Sequence, residues 1–168
     1  MVARVPRRFA VALAALVVAL GWLSLDPERL VPLEPVAVLT AQATAGLLRA
    51  GGIEATRSGR VVLHPDGFAI EVDVACAALA PLALLAVAVV ALPAPLSRRF
   101  VGLLLLVPAL LALNLLRLIH LFVLGVHAPQ WFDLFHDLLW RAAALLGLLG
   151  TWLAWRHWAV AQPRSPAH

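Results

Sequence analysis

Four apolar runs, at 9–25, 75–96, 100–126 and 137–156, dominate this chain. Each is long enough, or nearly so, to cross about 30 Å of hydrocarbon as a helix. A soluble domain needs polar residues to cover its surface. Here 63% of residues are hydrophobic and 13% charged, which fits a membrane protein and not a soluble globule. The expected fold class is an all-α polytopic membrane protein with about four transmembrane helices. The first run follows Arg4, Arg7 and Arg8, and it reads as a retained span because no small-x-small cleavage site follows it.

The charges give the expected orientation. Arginines, with no acidic residue among them, occupy the tail 1–8, the short connection holding Arg98 and Arg99, and the C-terminal end with Arg156 and Arg164. All nine acidic residues lie between Asp26 and Asp73 or at Asp133 and Asp137. By the positive-inside rule both termini, 1–8 and 159–168, are cytoplasmic, and the segment 26–74 faces outward from a plasma (inner) membrane. The net charge of +4 is explained by this partition, so nucleic acid is not an expected partner.

The outward segment carries its own local signals. Pro35 followed by Val36, Leu39, Ala43, Leu47 and Leu48 predicts a short amphipathic helix on the membrane surface, ended by Gly51-Gly52. Two strand-like stretches, 60–63 and 68–72, flank His64-Pro65-Asp66-Gly67 and predict a β-hairpin. The hairpin leads directly into Cys76, the only cysteine. One thiol excludes an internal disulfide and a CxxC redox pair, and with scattered histidines it makes a poor metal set. No cofactor is expected.

Reactive groups fall at one expected depth. With the cytoplasmic arginines as a floor, Cys76 stands 22 residues before Arg98, Arg117 stands 18 after Arg99, and His136 stands 20 before Arg156. At about 1.5 Å per helical residue these are roughly 33, 27 and 30 Å, all near the outer boundary of the membrane. A thiol beside an imidazole can lose its proton and attack a carbonyl, and a guanidinium suits an oxyanion or a carboxylate. Together they suggest acyl transfer at a peptide bond through a thioester. Bland readings stand beside this one: Cys76 as a packing residue, Arg117 as a snorkelling anchor, His136 as a helix-start residue with Asp137. His120 and His127 compete for the role of the imidazole. Asn114, three residues before Arg117, is placed to bond to Arg117, to bind substrate or to support helix packing.

In order and spacing these features resemble the exosortase/archaeosortase family of membrane transpeptidases. The resemblance rests on Leu47-Leu-Arg-Ala-Gly-Gly-Ile53, the hairpin ending Phe68-Ala-Ile-Glu-Val72, Cys76 opening a span, Asn114-Leu-Leu-Arg117 as an Asn-x-x-Arg motif, and Phe135-His136. It covers roughly residues 36–155. It implies a thiol protease-like enzyme with Cys76 as nucleophile, His136 as acid/base, Arg117 on the oxyanion or substrate, and Asn114 near substrate. The implied partners are exported proteins whose C-terminal sorting tail is a short motif (Pro-Glu-Pro in one common class), a transmembrane helix and basic residues. Family members commonly carry Ser-Gly after the cysteine, where this chain has Ala77-Ala78. A non-catalytic assembly factor or scaffold of the same fold is the alternative. A transporter is disfavoured because Asp and Glu are absent from the span interiors, and a thiol oxidase because there is no second cysteine.

Overall fold

Glu34 and Pro35 begin the first helix, α1 (Glu34–Ala50). A proline here forfeits no helical hydrogen bond, and the acidic side chain meets the positive end of the helix dipole. In the computed structural model the described residues are 11, 14, 33–91 and 94–160. The expected span 9–25 therefore lies outside the described residues apart from Val11 and Ala14, as do 1–8, 26–32 and 161–168.

α1 ends where the Gly51-Gly52 pair predicts. The Gly51 amide returns to the Leu47 and Leu48 carbonyls, and Gly52 takes a φ of +80°. Its buried face differs from the expected one. Ala37, Ala41, Ala45 and Leu48 are buried, whereas Leu39 and Leu47 are exposed. Both faces are apolar, and the alanine face allows the closer approach of backbones, so it packs against the sheet and the long helix. The exposed leucines are left on the outer side.

The sheet has three strands where a two-stranded hairpin is expected. β1 (Thr56–Ser58), β2 (Val61–Leu63) and β3 (Ala69–Glu71) pair antiparallel in that order, with Arg57 opposite Val62 and Val62 opposite Ile70. β1 is three residues, exposed throughout, too short to show alternation in the sequence. The turn forms at His64–Gly67: the Gly67 amide donates to the His64 carbonyl at 3.0 Å and the His64 amide to the Phe68 carbonyl at 2.8 Å. Gly67 has φ +93°, the left-handed position that a turn of this length requires.

After the sheet, a 3₁₀ turn (Val74–Cys76) leads to α2 (Leu79–Ala91), then α3 (Leu96–His127) and, past a 3₁₀ turn (Pro129–Trp131) and a π turn (Leu134–Leu139), α4 (Trp140–Val160). Among the described residues two helical stretches, Leu96–His127 and Pro129–Ala159, are long and apolar enough to cross a membrane. Of the expected span 75–96, the described residues form a shorter helix. α2 has 13 residues, about 20 Å, less than the hydrocarbon thickness. Its start is set at Ala78, whose φ of +59° no α-helix accommodates, so Cys76 sits in its own 3₁₀ turn rather than in the first turn of a span.

Two apolar clusters hold these elements. One joins Ala41, Leu48, Val62 and Ile70 to Leu118 and Phe122 of α3. The other joins Leu85 and Val89 of α2 to Leu110 of α3 and Trp155 of α4. Glycines on α3 admit an aromatic ring at each end. The Trp155 indole lies over Gly102, and its Nε1–H donates to the Arg98 carbonyl at 3.2 Å. The Phe68 ring lies over Gly125, edge-on to Phe122 and Phe132 with centroids 5.7 and 5.9 Å away. A Cβ at Gly125 would run into that ring. Gly125→Ala is therefore expected to destabilise the chain by about 1–3 kcal/mol, the cost of overpacking, despite a helix-propensity gain of about 1 kcal/mol. Thermal unfolding in detergent checks this. Combination with Phe68→Ala should recover part of the loss if the ring is the obstacle.

Candidate active site

The cysteine is fixed by its backbone. Asp73 caps the 3₁₀ turn, its Oδ1 accepting from the Val74 amide at 2.6 Å, and its carbonyl accepts from the Cys76 amide at 2.8 Å. From the other side Asn114 Nδ2 donates to the Cys76 carbonyl at 2.8 Å. Asn114 thus tethers the cysteine to α3 across 38 positions of sequence. Of the openings left by the sequence, the amide is engaged with the cysteine backbone. The side chain of Cys76 is half-buried.

Ala78, 4% exposed, is the sole non-glycine among the described residues with positive φ. It occupies the position where the resembling family commonly has glycine, and it keeps a conformation that glycine adopts without strain. Ala78→Gly is expected to be neutral to mildly stabilising, since relief of strain is offset by unfolded-state entropy and a lost methyl contact. Ala78→Val is expected to cost about 2 kcal/mol or more, because a β-branched residue at positive φ is a true outlier. Melting temperatures in the order Gly at or above Ala, with Val well below, check the conformation of this turn.

Cys76, Arg117 and His136 line one cavity of about 250 Å³. Its other walls are β3 (Ala69, Ile70, Glu71), Leu118 and Leu121 of α3, and Phe132. Arg117 also borders a second cavity of about 150 Å³, shared with Ala78, Asn114 and Trp140. Its Nε is buried and finds no acceptor among the described residues, and no carboxylate pairs with it there. Glu71 on the cavity wall is engaged by Arg60, so a guanidinium with no ion-pair partner of its own, lining a cavity, is suited to an oxyanion or carbonyl supplied from outside the chain. A larger cleft of about 360 Å³ between α2 and α4 is lined only by apolar side chains such as Leu85, Leu148 and Trp152, and holds no group for chemistry.

His136 lies in the π turn, a form common at functional positions. Its ring stacks on Phe132, with centroids 5.6 Å apart and planes within 9°. Nδ1 is 3.1 Å from Asp137 Oδ1, and the same oxygen accepts from Arg141 Nη2 at 3.0 Å. With Nδ1–H donated to Asp137, Nε2 is left with its lone pair, the tautomer a general base requires. The other imidazoles are placed differently. His120 Nδ1 accepts from Trp140 Nε1 at 3.0 Å, and its ring packs against Phe135 and Trp140. His127 ends α3 and is exposed. Neither lines the cavity with Cys76.

Sequence reasoning missed the support around His136. The adjacent His136-Asp137 pair followed by Arg141 at i+4 is a readable signal for an oriented imidazole, but the stacking Phe132 and the β3 wall are tertiary and leave no local trace.

No curated protein and no solved structure matches this chain. The sequence model of the transmembrane exosortase (Exosortase_EpsH) matches residues 3–153. That match takes in nearly the whole chain, including the cysteine turn, the Asn-x-x-Arg stretch and the histidine turn, and the chain belongs to the transmembrane exosortase family.

Proposed function

We propose that this membrane protein of the exosortase type is a cysteine transpeptidase or protease that cleaves the C-terminal sorting tails of exported proteins at the outer face of the plasma membrane, with both termini cytoplasmic. The observation that carries the reading is the convergence of Cys76, Arg117 and His136 on one cavity from three separate elements.

The chemistry follows from those groups. His136 Nε2 takes the thiol proton, and Sγ forms a bond to the scissile carbonyl carbon. The carbonyl oxygen becomes an oxyanion beside the Arg117 guanidinium. The C–N bond then breaks, the proton on His136 passes to the leaving amine, and the exported portion stays as a thioester on Cys76. An acceptor nucleophile, or water, attacks the thioester and restores the thiol. Asp137 keeps the imidazole in the productive tautomer, and Asn114 holds the backbone beneath the sulfur. No step needs a metal or cofactor group.

The test is the reaction of Cys76 with a membrane-impermeant thiol reagent in intact cells, for the native chain and for His136→Ala. Labelling from outside, slowed several-fold or more by His136→Ala, is the expected result. A thiol that the reagent reaches only after the membrane is opened, or whose rate ignores His136, would count against the reading.

A further inference from the structure

The pairing of β3 leaves one row of its backbone groups without a partner. His64 and Phe68 form a hydrogen-bonded pair, and the Val72 amide donates to the Arg60 carbonyl at 3.0 Å. Ile70 lies opposite Val62 midway between those pairs. In an antiparallel ladder bonded and non-bonded pairs alternate, so Phe68, Ile70 and Val72 turn their amides and carbonyls toward β2. Ala69 and Glu71 turn theirs the other way. β3 is an outer strand of the sheet, and among the described residues no hydrogen bond satisfies the Ala69 and Glu71 backbone. An exposed edge of this kind is a template for another strand, and proteins normally blunt or cover it. Here it is a wall of the cavity that holds Cys76, Arg117 and His136.

We infer that the β3 edge at Ala69 and Glu71 binds an extended polypeptide segment as a fourth strand and so carries its backbone past the Cys76 thiol. The occupant is an unfolded stretch of a protein substrate, and the inference rests on the reading of Cys76 as a nucleophile toward peptide carbonyls. Two features favour an extended backbone over other ligands. The edge offers two amide donors and two carbonyl acceptors at strand spacing, which is the recognition pattern of strand addition. The buried Arg117 Nε, lacking an acceptor within the described chain, lines the same cavity and suits a further carbonyl of that backbone. Recognition through main-chain groups is largely indifferent to side chains, so the edge would set direction and register, and the sequence motif would be read elsewhere.

The purified full chain in detergent tests this with two alkylating probes, acetyl-Ala-Ala-Ala chloromethyl ketone and chloroacetone. With either, the Cys76 sulfur forms a bond to the methylene carbon, chloride leaves with the bonding pair, and the thiol proton passes to a base. Chloroacetone reports the thiol alone; the ratio of the two rates reports backbone binding. The peptide is expected to react roughly tenfold faster, the worth of one or two net hydrogen bonds. Most of that advantage should vanish in Ala69→Pro, which removes an outward-facing donor that the sheet does not use. It should vanish equally, with the native chain, for a peptide N-methylated at its middle residue, so the test survives a misfolded Ala69→Pro. No peptide advantage in the native chain, or an advantage that survives N-methylation, overturns the inference. The chloroacetone rate in His136→Ala answers separately for the catalytic reading, and a Cys76 that neither probe reaches overturns both.

Discussion

Cys76→Ala is expected to abolish processing of a tail-bearing exported protein, by roughly 10⁴-fold or more, because binding and oxyanion stabilisation alone remain once the nucleophile is gone. The chain should still insert and fold. The interactions that hold this turn run through the backbone: the Cys76 amide to Asp73, the Cys76 carbonyl to Asn114, and the Val74 amide to the Asp73 side chain. Alanine keeps all of them and removes only a half-buried sulfur. Cys76→Ser should fail nearly as completely, since a hydroxyl is far harder to deprotonate than a thiol in a site built around one. The measurement is the ratio of processed to full-length reporter in membrane fractions, with melting of the purified variants as the control for folding. Normal processing by Cys76→Ala would return the chain to its alternative, a non-catalytic assembly factor or scaffold on the same fold.

What was legible in the sequence was what depends on local pattern. The glycine pair that stops α1, the Pro-Asp-Gly turn and the apolar runs of α3 and α4 are short-range signals, and each appears near its expected place. The meeting of Cys76, Arg117 and His136 on one cavity was open to arithmetic because a helix rises a constant distance per residue, with the basic ends as an assumed floor. That arithmetic treated the path from Cys76 to Arg98 as one helix, which it is not. A glycine at position 78 would have announced the break, but alanine in a left-handed conformation gives no warning. The buried face of α1 was misread for a different reason. Leu39 and Leu47 stood on one side and Ala37, Ala41 and Ala45 on the other, and close packing selected the alanine side, with Leu48 the one leucine of the expected face that is buried. β1 was invisible because three exposed residues carry no periodicity. The choice among His136, His120 and His127 could not be made from spacing, since it depends on which ring Trp140 engages and which one Phe132 and Asp137 present to the cavity.

Arg117→Met is expected to separate stability from activity in opposite directions. Arg117 is half-buried, its Nε has no acceptor among the described residues, and no carboxylate there forms an ion pair with it. Replacing such a group with an apolar side chain of similar length strands no partner and removes a desolvation cost. The melting temperature should therefore hold or rise. Tail processing should fall about 10²- to 10³-fold, the usual cost of losing one preorganised oxyanion donor. Arg117→Lys should lie between the two, because an ammonium keeps the charge but not the planar fork that can face both adjoining cavities. Thermal unfolding and processing rates on the same three proteins decide the matter. A joint loss of stability and activity in Arg117→Met would make the arginine a structural anchor, and full activity would remove it from the mechanism. A stable, inactive protein is what a charge maintained for chemistry requires, since nothing within the described fold accounts for burying it.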